Sequence, residues 1–250
     1  MRRINKSFGP VHVLHDVDFD IYPGQVTALV GDNGAGKTTL VKCLAGIHAA
    51  DSGQILLEGV PVAIHGPRDA AAIGIEVVYQ DLALCDNLNV AQNMFLGRER
   101  KKARRLDEIT MERLALETLS SLSVRTLASV RQRVSNLSGG QRQTVAIARA
   151  VLWQSRVVVL DEPTAALGVA QTRQVLDLVR RLAEQGIGVV VITHNMNDVM
   201  EVADRVCALY LGRVAAEVRR SETTHAQVVE LITAGRSGAI GLQAADQAQI

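Results

Sequence analysis

The feature that most constrains the fold is the stretch GDNGAGKTT at residues 31–39, which directly follows a short apolar run at residues 25–30. Continuous apolar runs of this length are typical of strands buried on both faces of a parallel sheet. Glycines let the backbone approach phosphate oxygens, and the start of the helix that follows adds partial positive charge. The order strand, glycine-rich turn and helix therefore predicts a phosphate-binding loop. Lys37 can reach the outer phosphates, and the Thr38 hydroxyl can bind Mg²⁺.

The rest of the chain alternates apolar runs with helical patterns. Residues 73–79, 156–160 and 187–193 have the composition of further buried strands. Residues 84–152 are mainly helical in pattern, whereas residues 11–21 alternate as a half-buried antiparallel strand does. The pattern predicts an α/β fold: a mostly parallel sheet core, an antiparallel β subdomain and an inserted helical subdomain at about residues 84–152.

Two helices and the chain end complete this prediction. Residues 107–122 form an amphipathic pattern whose core candidates are Leu114, Leu116 and Leu119, and residues 169–184 form a second one. Residues 1–235 are expected to be a single domain. The segment 236–250 is rich in Ala, Gly and Gln, which favours a frayed, flexible tail.

Polar side chains follow the predicted strands at the points where they end. In open parallel sheets ligands bind beyond the carboxyl ends of the strands, so these groups meet the phosphate loop if the strands are neighbours. Asp161 would then hold Mg²⁺ and Glu162 would activate water as a general base, although two acids before Pro163 also suit a helix start. His194 would contact the terminal phosphate unless it is a structural histidine. Gln80 would assist catalysis and the metal, or hydrogen-bond a loop backbone instead.

A second anion-binding corner is predicted in the helical stretch LSGGQRQTVAIARAVL at residues 137–152. Ser138 and Gln141 have the spacing of a capping box, and Gly139 and Gly140 leave the backbone bare at the helix start. Two phosphate cradles and one hydrolytic site in one chain indicate that two copies pair head to tail, with each nucleotide touching both.

Composition excludes several classes of protein. The 27 basic and 26 acidic residues give a formal net charge of +1, which argues against a general nucleic-acid binder. Cys43, Cys85 and Cys207 have no metal-ligand spacing and suit reduced thiols of a cytosolic protein. No apolar run approaches the roughly 18 residues of a membrane span. We therefore expect a cytosolic protein, unless a partner holds it at a membrane.

In their order and spacing, these motifs resemble those of an ABC-type ATPase. Residues 31–38, Gln80, residues 137–141, residues 157–162 and His194 resemble the Walker A, Q-loop, signature, Walker B and H-loop elements of that family. The resemblance covers about residues 4–234. It implies a P-loop NTPase fold of the ABC ATPase type, with ATP and Mg²⁺ as cofactors and ATP hydrolysis as the activity.

The resemblance also implies the residues of the site. Phe8 would stack on adenine, a contact worth about 1–3 kcal/mol by analogy with other base–aromatic stacks, unless it is a small core contact. Each ATP would lie between the phosphate loop of one copy and the glycine corner of the other. The implied nucleotide-binding residues are Phe8, Gly31, Asp32, Asn33, Gly34, Ala35, Gly36, Lys37, Thr38, Thr39, Ser138, Gly139, Gly140 and Gln141. The implied metal-binding residues are Thr38, Gln80 and Asp161, and the implied catalytic residues are Glu162, His194 and Gln80.

Residues 161–169 and 193–206, DEPTAALGV and THNMNDVMEVADRV, look like the ATPases of simple-sugar importers, the class that takes up ribose, xylose or fructose. That likeness implies a peripheral protein on the cytoplasmic face of the inner membrane, with a second copy of itself, transmembrane permease subunits and, indirectly, a sugar-binding protein as partners, and no nucleic acid. Coupling helices of the permease would dock near residues 80–96. One departure is Gly168, which stands where the family's D-loop has aspartate.

Two alternatives remain at this point. The first alternative is a non-transport ABC ATPase of the DNA repair or translation type. Repair proteins of this kind separate their motifs with a long coiled coil, and translation proteins pair two ATPase domains in one chain. A regulatory module that binds nucleotide without turnover is a different class, and the candidate base Glu162 argues against it. Residues 98–105, RERKKARR, carry six positive charges, which suit a solvated face or a contact with lipid headgroups or a permease loop.

Overall fold

The computed structural model describes residues 1–124 and 127–242. Within them, two sheets build the framework. The strands of the antiparallel sheet are β1 (Arg2–Phe8), β2 (Val11–Val17), β4 (Ser52–Leu57) and β5 (Val60–Val62). Those of the larger sheet are β3 (Val26–Gly31), β6 (Ile75–Val78), β9 (Val157–Asp161), β10 (Gly188–Ile192), β11 (Arg205–Tyr210) and β12 (Arg213–Arg219). The antiparallel sheet has the order β2-β1-β4-β5 and the larger sheet the order β12-β11-β3-β10-β9-β6.

The helices surround the larger sheet and form the inserted region. They are α1 (Lys37–Leu44), α2 (Pro67–Ala72), α3 (Val90–Phe95), α4 (Glu108–Ser121), α5 (Gly139–Val151), α6 (Val169–Glu184), α7 (Met196–Val202) and α8 (His225–Ala234). The described residues also form two small hairpins, β7 (Lys101–Lys102) with β8 (Arg105–Leu106) and β13 (Arg236–Ser237) with β14 (Ile240–Gly241). Two short 3-10 helices lie at Val134–Asn136 and Arg220–Glu222.

The larger sheet is parallel except for its edge strand β12, which confirms the predicted α/β architecture. Successive side chains of a strand point to opposite faces. On β10, Val189 and Val191 pack with α5 and α6, while Val190 and Ile192 pack towards α1 and the antiparallel sheet. Each such fully buried side chain contributes about 1.5–3 kcal/mol. Burial on both faces explains the continuous apolar runs and holds the strand ends in fixed positions.

Several local expectations need correction. Leu116 is 50% exposed, because α4 packs through Met111, Ala115 and Leu119 and a residue directly after Ala115 turns away from that face. The strand predicted over residues 11–21 ends at Val17. The expected tail begins with an ordered hairpin, since Ser237 pairs with Ile240 and the Ser237 hydroxyl donates to Glu230. Residues 243–250 lie outside the described residues.

Candidate nucleotide site

Strand pairing brings the polar strand ends to one edge of the larger sheet. Ile192 at the end of β10 stands in register with Leu29 of β3 on one side and with Asp161 of β9 on the other. Val78 near the end of β6 is in register with Leu160. Four consecutive strands of the sheet, β3, β10, β9 and β6, therefore precede the phosphate loop, His194, Glu162 and Gln80 respectively. This order is what the predicted convergence of these residues requires.

The phosphate loop has a backbone that only glycine can form at two positions. Gly31 has φ +156°, and a Cβ atom there would lie 2.5 Å from the Leu209 carbonyl oxygen. Gly36 has φ +103°, and a Cβ atom would lie 2.8 Å from Leu14 Cδ2. Both contacts are shorter than real Cβ atoms make. At Gly31 the obstacle is backbone, whereas at Gly36 it is a side-chain end and the positive φ is the stronger constraint. The two glycines are therefore required by the fold of this chain itself.

The remaining loop residues face outwards. Asp32, Asn33 and Gly34 are exposed at its tip, while Ala35 is buried beneath it. The Ala35 N–H donates to the Asp32 carbonyl at 3.1 Å. Thr38 and Thr39 stand in the first turn of α1, Thr38 exposed and Thr39 half-buried. The helix N-terminus that the sequence predicted thus opens towards solvent beside the loop.

Lys37 lies folded over the loop. Its Nζ donates to the carbonyl oxygens of Gly31 at 2.6 Å and Asp32 at 2.9 Å. Burial lowers the pKa of Lys37, and the nearby carboxylates of Glu162, Asp32 and Asp161 act in the opposite direction. Both carbonyl contacts are ones that a phosphate oxygen can replace, because an ammonium group carries three donors.

Glu162 and His194 form a pair at the centre of the edge. His194 Nδ1 lies 2.9 Å from Glu162 Oε1, with the imidazole largely exposed and the carboxylate largely covered. Glu162 adopts a left-handed backbone conformation with φ +49°, and its N–H donates to the Ile192 carbonyl at 2.9 Å. The backbone bond joins the end of β9 to the end of β10. It holds the two side chains together where the sheet meets solvent.

Asp161, beside Glu162 in the chain, is also partly buried. Burial raises the pKa of Asp161, the Glu162 carboxylate adds to the rise, and Lys37 and Lys42 oppose it. Burial also raises the pKa of Tyr79, and Asp161 contributes to that shift. A carboxylate whose charge is disfavoured by burial and by a neighbouring acid gains most from a cation placed beside it.

Gln80 lies two residues beyond the end of β6 and is exposed. The chain that follows it is fastened to α5. Arg149 NH1 donates to the Ala83 carbonyl at 2.8 Å and NH2 to the Leu82 carbonyl at 2.9 Å. The segment after Gln80 therefore connects the sheet edge to the helical region.

Phe8 lies at the end of β1, with 43% of its surface exposed. Its ring meets that of His48 edge to face with centroids 5.1 Å apart, and Lys6 Nζ lies 5.4 Å from the ring centroid. Such exposure differs from that of a core residue and leaves part of an aromatic ring accessible to a ligand.

The glycine corner begins α5. The Ser138 hydroxyl accepts a hydrogen bond from the Gln141 N–H at 3.3 Å, and Gln141 Oε1 accepts one from the Ser138 N–H at 2.9 Å, which confirms the predicted capping box. A Cβ atom at Gly139 would lie 3.2 Å from Leu167 Cδ2, and one at Gly140 would lie 3.1 Å from Gln171 Cβ. The corner thus packs against the turn that carries Gly168.

One network near the site escaped the sequence reasoning. Asp198 on α7 is buried, and its carboxylate accepts hydrogen bonds from the Thr164 hydroxyl at 2.6 Å and the Asn195 side-chain amide at 3.0 Å. The network joins the turn after Glu162 to the turn after His194. The sequence did contain one signal of this burial. Asp198 and Val202 are four residues apart on a helix, so they share a face, and Val202 is a core residue.

With this geometry established, comparison with known proteins identifies the family. A profile of the ABC transporter family matches residues 14–165. The chain belongs to the ABC transporter family. It is an ATP-hydrolysing ABC ATPase and has the fold that the family resemblance implied.

Relatives in this family share most of the chain. The fructose import ATP-binding protein FrcA of Rhizobium meliloti is 44% identical over 94% of this chain and 93% of its own length. The xylose/arabinose import ATP-binding protein XylG of Sulfolobus acidocaldarius is 43% identical over 97% and 96%. The ribose import ATP-binding protein RbsA 1 of Rubrobacter xylanophilus is 43% identical over 91% of this chain but only 46% of its own length.

Solved structures of the family have the same architecture. An ATP-binding cassette of an ABC transporter in its ADP conformation matches with a TM-score of 0.79 and 25% identity over 93% of both chains. A nucleotide-free ATP-binding cassette matches with a TM-score of 0.78 and 26% identity, over 87% of this chain and 89% of that one. Among the helices in residues 1–124 and 127–242, none has the length and apolar character to cross a membrane.

Proposed function

We propose that this ABC ATPase powers a permease that imports a monosaccharide. The observation that carries the proposal is the pair of Glu162 and His194 at the sheet edge, with Oε1 and Nδ1 2.9 Å apart. The chain that holds this pair is about as similar to a fructose import ATP-binding protein as to a xylose/arabinose import ATP-binding protein. The alternative of a module without turnover is disfavoured because a carboxylate stands where the reaction needs a base.

ATP binding rests on three features of one chain. The exposed face of Phe8 offers a stacking surface for adenine. The N–H groups of Gly34 and of residues 36–38 at the start of α1 offer donors to the phosphates. Lys37 exchanges its carbonyl contacts for phosphate oxygens. Binding leaves the terminal phosphate beside the Glu162–His194 pair.

The donor set at this edge fits Mg²⁺. The Asp161 carboxylate, the Thr38 hydroxyl and the Gln80 side-chain carbonyl are hard oxygen ligands of the kind this ion prefers. When bound, the ion would neutralise charge on the outer phosphate oxygens. The raised pKa of Asp161 fits this assignment, because the effects of its partial burial and of the neighbouring Glu162 carboxylate are only partly offset by Lys37 and Lys42.

Hydrolysis then uses the pair of side chains. Glu162 accepts a proton from water as the water oxygen bonds to the terminal phosphorus, and the bond from that phosphorus to the bridging oxygen breaks, giving ADP and phosphate. His194 orients the Glu162 carboxylate and contacts the terminal phosphate. The left-handed backbone at Glu162 and its hydrogen bond to Ile192 fix the position of the carboxylate.

A second copy would complete the site. The corner at Ser138, Gly139 and Gly140 presents a helix N-terminus that the phosphate loop of its own chain does not require. We assign it to the ATP held by the partner copy, in a head-to-tail dimer. Gln141 serves as the capping partner that holds Ser138 in place.

The permease would dock beside the segment that follows Gln80. There, Met94, Leu96 and Trp153 line a cavity of about 190 Å³ together with the ion pair of Arg98 and Glu76, whose nitrogen and oxygen atoms are 2.8 Å apart. Because Arg149 fastens this segment to α5, movement of the helical region would reach both the docking cavity and Gln80. Docking there would hold the subunit at the cytoplasmic face of the membrane.

The test is reconstitution of this chain with a multi-span permease and a sugar-binding protein encoded beside it. We expect ribose, xylose or fructose bound to the binding protein to stimulate ATP hydrolysis several-fold and to enter vesicles. Glu162→Gln should abolish both effects. Stimulation by a ligand of another class, or uptake that persists in Glu162→Gln, would contradict the proposal.

A further inference from the structure

A cluster of cations on a small hairpin has no role in the proposed ATPase site. Strands β7 and β8 pair antiparallel, Lys101 with Leu106 and Lys102 with Arg105. Ala103 and Arg104 between them have φ +49° and +67°, as in a tight two-residue turn. We call residues 100–106 the basic hairpin. The Asp107 N–H closes its base by donating to the Arg100 carbonyl at 2.9 Å.

The hairpin brings like charges together, and its cations form no ion pair within the described residues. Arg100, Lys101, Lys102, Arg104 and Arg105 are all exposed, and within residues 1–124 and 127–242 none of them forms an ion pair with an acid. Lys102 and Arg105 stand directly opposite each other, an arrangement that destabilises an antiparallel pair. The fold therefore tolerates an electrostatic cost at this place.

The two acids that flank the hairpin are engaged with backbone and capping contacts. Glu99 accepts a hydrogen bond from the Gly97 N–H at 2.9 Å. Asp107 caps α4 by accepting from the N–H and hydroxyl of Thr110. These bonds are the largest cause of the lowered pKa of both acids, and Lys101 and Lys102 contribute only through space. The tip of the hairpin keeps its positive charge.

The hairpin also carries apolar surface and adjoins the docking cavity. Leu106, opposite Lys101, is 50% exposed, and Ile109 in the first turn of α4 is 81% exposed. Arg98, two residues before the hairpin, lies with its guanidinium 5.2 Å from the centroid of the Trp153 ring in the wall of that cavity. Cations beside exposed aliphatic side chains are the composition of a surface that lies on a bilayer.

We propose that the basic hairpin binds anionic lipid headgroups beside the permease. Its orientation towards the bilayer rests on the docking proposed above, but its affinity for lipid does not. The seven residues of the basic hairpin offer far less than the roughly 800 Å² per partner of a stable protein interface. Attraction to an anionic lipid surface needs no such area, and each Lys or Arg near the surface adds to it. The near-neutral chain and its few aromatic residues disfavour nucleic acid as the polyanion.

The test is cosedimentation of the full chain with phosphatidylcholine vesicles that contain either no anionic lipid or about 30% phosphatidylglycerol. We expect binding only to the anionic vesicles, weakened by high salt because surface charges are then screened. The variant K101Q/K102Q/R104Q/R105Q should bind about tenfold or more weakly. Leu106→Ala should bind a few-fold more weakly. ATP hydrolysis without the permease should be unchanged in both.

A matched control removes four exposed cations elsewhere, R68Q/R173Q/R219Q/R236Q, and should retain most of the binding. Equal losses in the two quadruple variants, or equal binding to both vesicle types, would overturn the proposal. So would a hairpin variant that keeps vesicle binding but no longer copurifies with the permease, because the hairpin would then contact protein. A transport failure with intact vesicle binding would overturn the sugar-import proposal and leave this one standing.

Discussion

The phosphate loop and the glycine corner are both glycine-rich helix starts, but the reason that glycine is needed differs between them. At Gly31 and Gly36 a positive φ and contacts below 3 Å leave no room for a side chain. At Gly139 and Gly140 the backbone has ordinary negative φ, and the nearest obstacles are side chains of Leu167 and Gln171 at 3.1–3.2 Å. The first pair is needed to fold this chain. We attribute the second pair to the proposed ligand, the ATP of a partner copy, which would approach from outside the chain.

The largest predicted effect concerns Glu162, the proposed base beside the phosphate loop. Glu162→Gln should lower the rate of ATP hydrolysis about 10²–10⁴-fold, because the amide cannot accept the proton of the attacking water. ATP binding should persist. Phosphate release and nucleotide binding measure the two quantities, with the exposed Glu184→Gln as the matched control. Turnover near the wild-type rate would remove Glu162 from the mechanism.

The glycine corner should be essential for turnover but not for the first binding event. Gly140→Asp places a carboxylate where a phosphate of the partner's ATP would lie, and should lower turnover about 10²-fold, in the range of a lost oxyanion contact. ATP affinity of the single chain should stay within about twofold of wild type, since nothing at the phosphate loop changes.

The control for that variant is Gly66→Asp, at the start of α2, where a Cβ atom meets nothing within 4 Å. It makes the same chemical change at another helix N-terminus and should leave turnover intact. If Gly140→Asp weakened ATP binding by the single chain as strongly as turnover, the corner would belong to the same copy as the loop.

Lys37→Ala tests the phosphate loop, the other region of the comparison. It should weaken ATP affinity about tenfold to a hundredfold, because a hydrogen bond to a charged group is worth about 1.5–3 kcal/mol. Lys42→Ala, further along the same helix, serves as the control. Titration of a fluorescent ATP analogue measures both, and an unchanged affinity in Lys37→Ala would count against the phosphate-loop assignment.

The smallest effect is expected at Gly168, which lies in the turn before α6, where the glycine corner packs. Gly168 is the N-cap of α6 with φ −73°, and a Cβ atom there meets nothing within 4 Å. Gly168→Asp should therefore fit, and should raise the free energy of unfolding by a few tenths of a kcal/mol through capping, measured by urea denaturation. We also predict altered cooperativity of turnover. If turnover and cooperativity stayed the same, the glycine would have no mechanistic role.

The parts of this comparison that sequence could predict are those that depend on strong local patterns. Helix α6 occupies residues 169–184 as predicted, and Val175, Leu178, Val179 and Leu182 are buried on its inner face. The strands of the parallel core were found from their continuous apolar runs. The order of motifs along the chain located the phosphate loop and the strand ends, because parallel strands bring their carboxyl ends to one edge.

What sequence could not predict depends on neighbours. Strands β1 and β12 were not predicted because each buries a single residue, Ile4 and Ala215. β1 is mostly polar, and Glu217 interrupts the apolar residues of β12, so neither gives a long apolar run. The burial of Asp198 follows from hydrogen bonds that two separate turns supply. The difference between the two glycine pairs is also invisible in sequence, because it lies in contacts with Leu209, Leu14 and Gln171.

The central claim is that one ATP joins the phosphate loop of one copy to the glycine corner of another. Analytical ultracentrifugation of Glu162→Gln tests it most directly, because bound ATP is then retained. We predict a monomer without nucleotide, a dimer with ATP, and a monomer that still binds ATP when Gly140→Asp is added. A Glu162→Gln protein that binds ATP and stays monomeric, or a dimer unaffected by Gly140→Asp, would contradict the account.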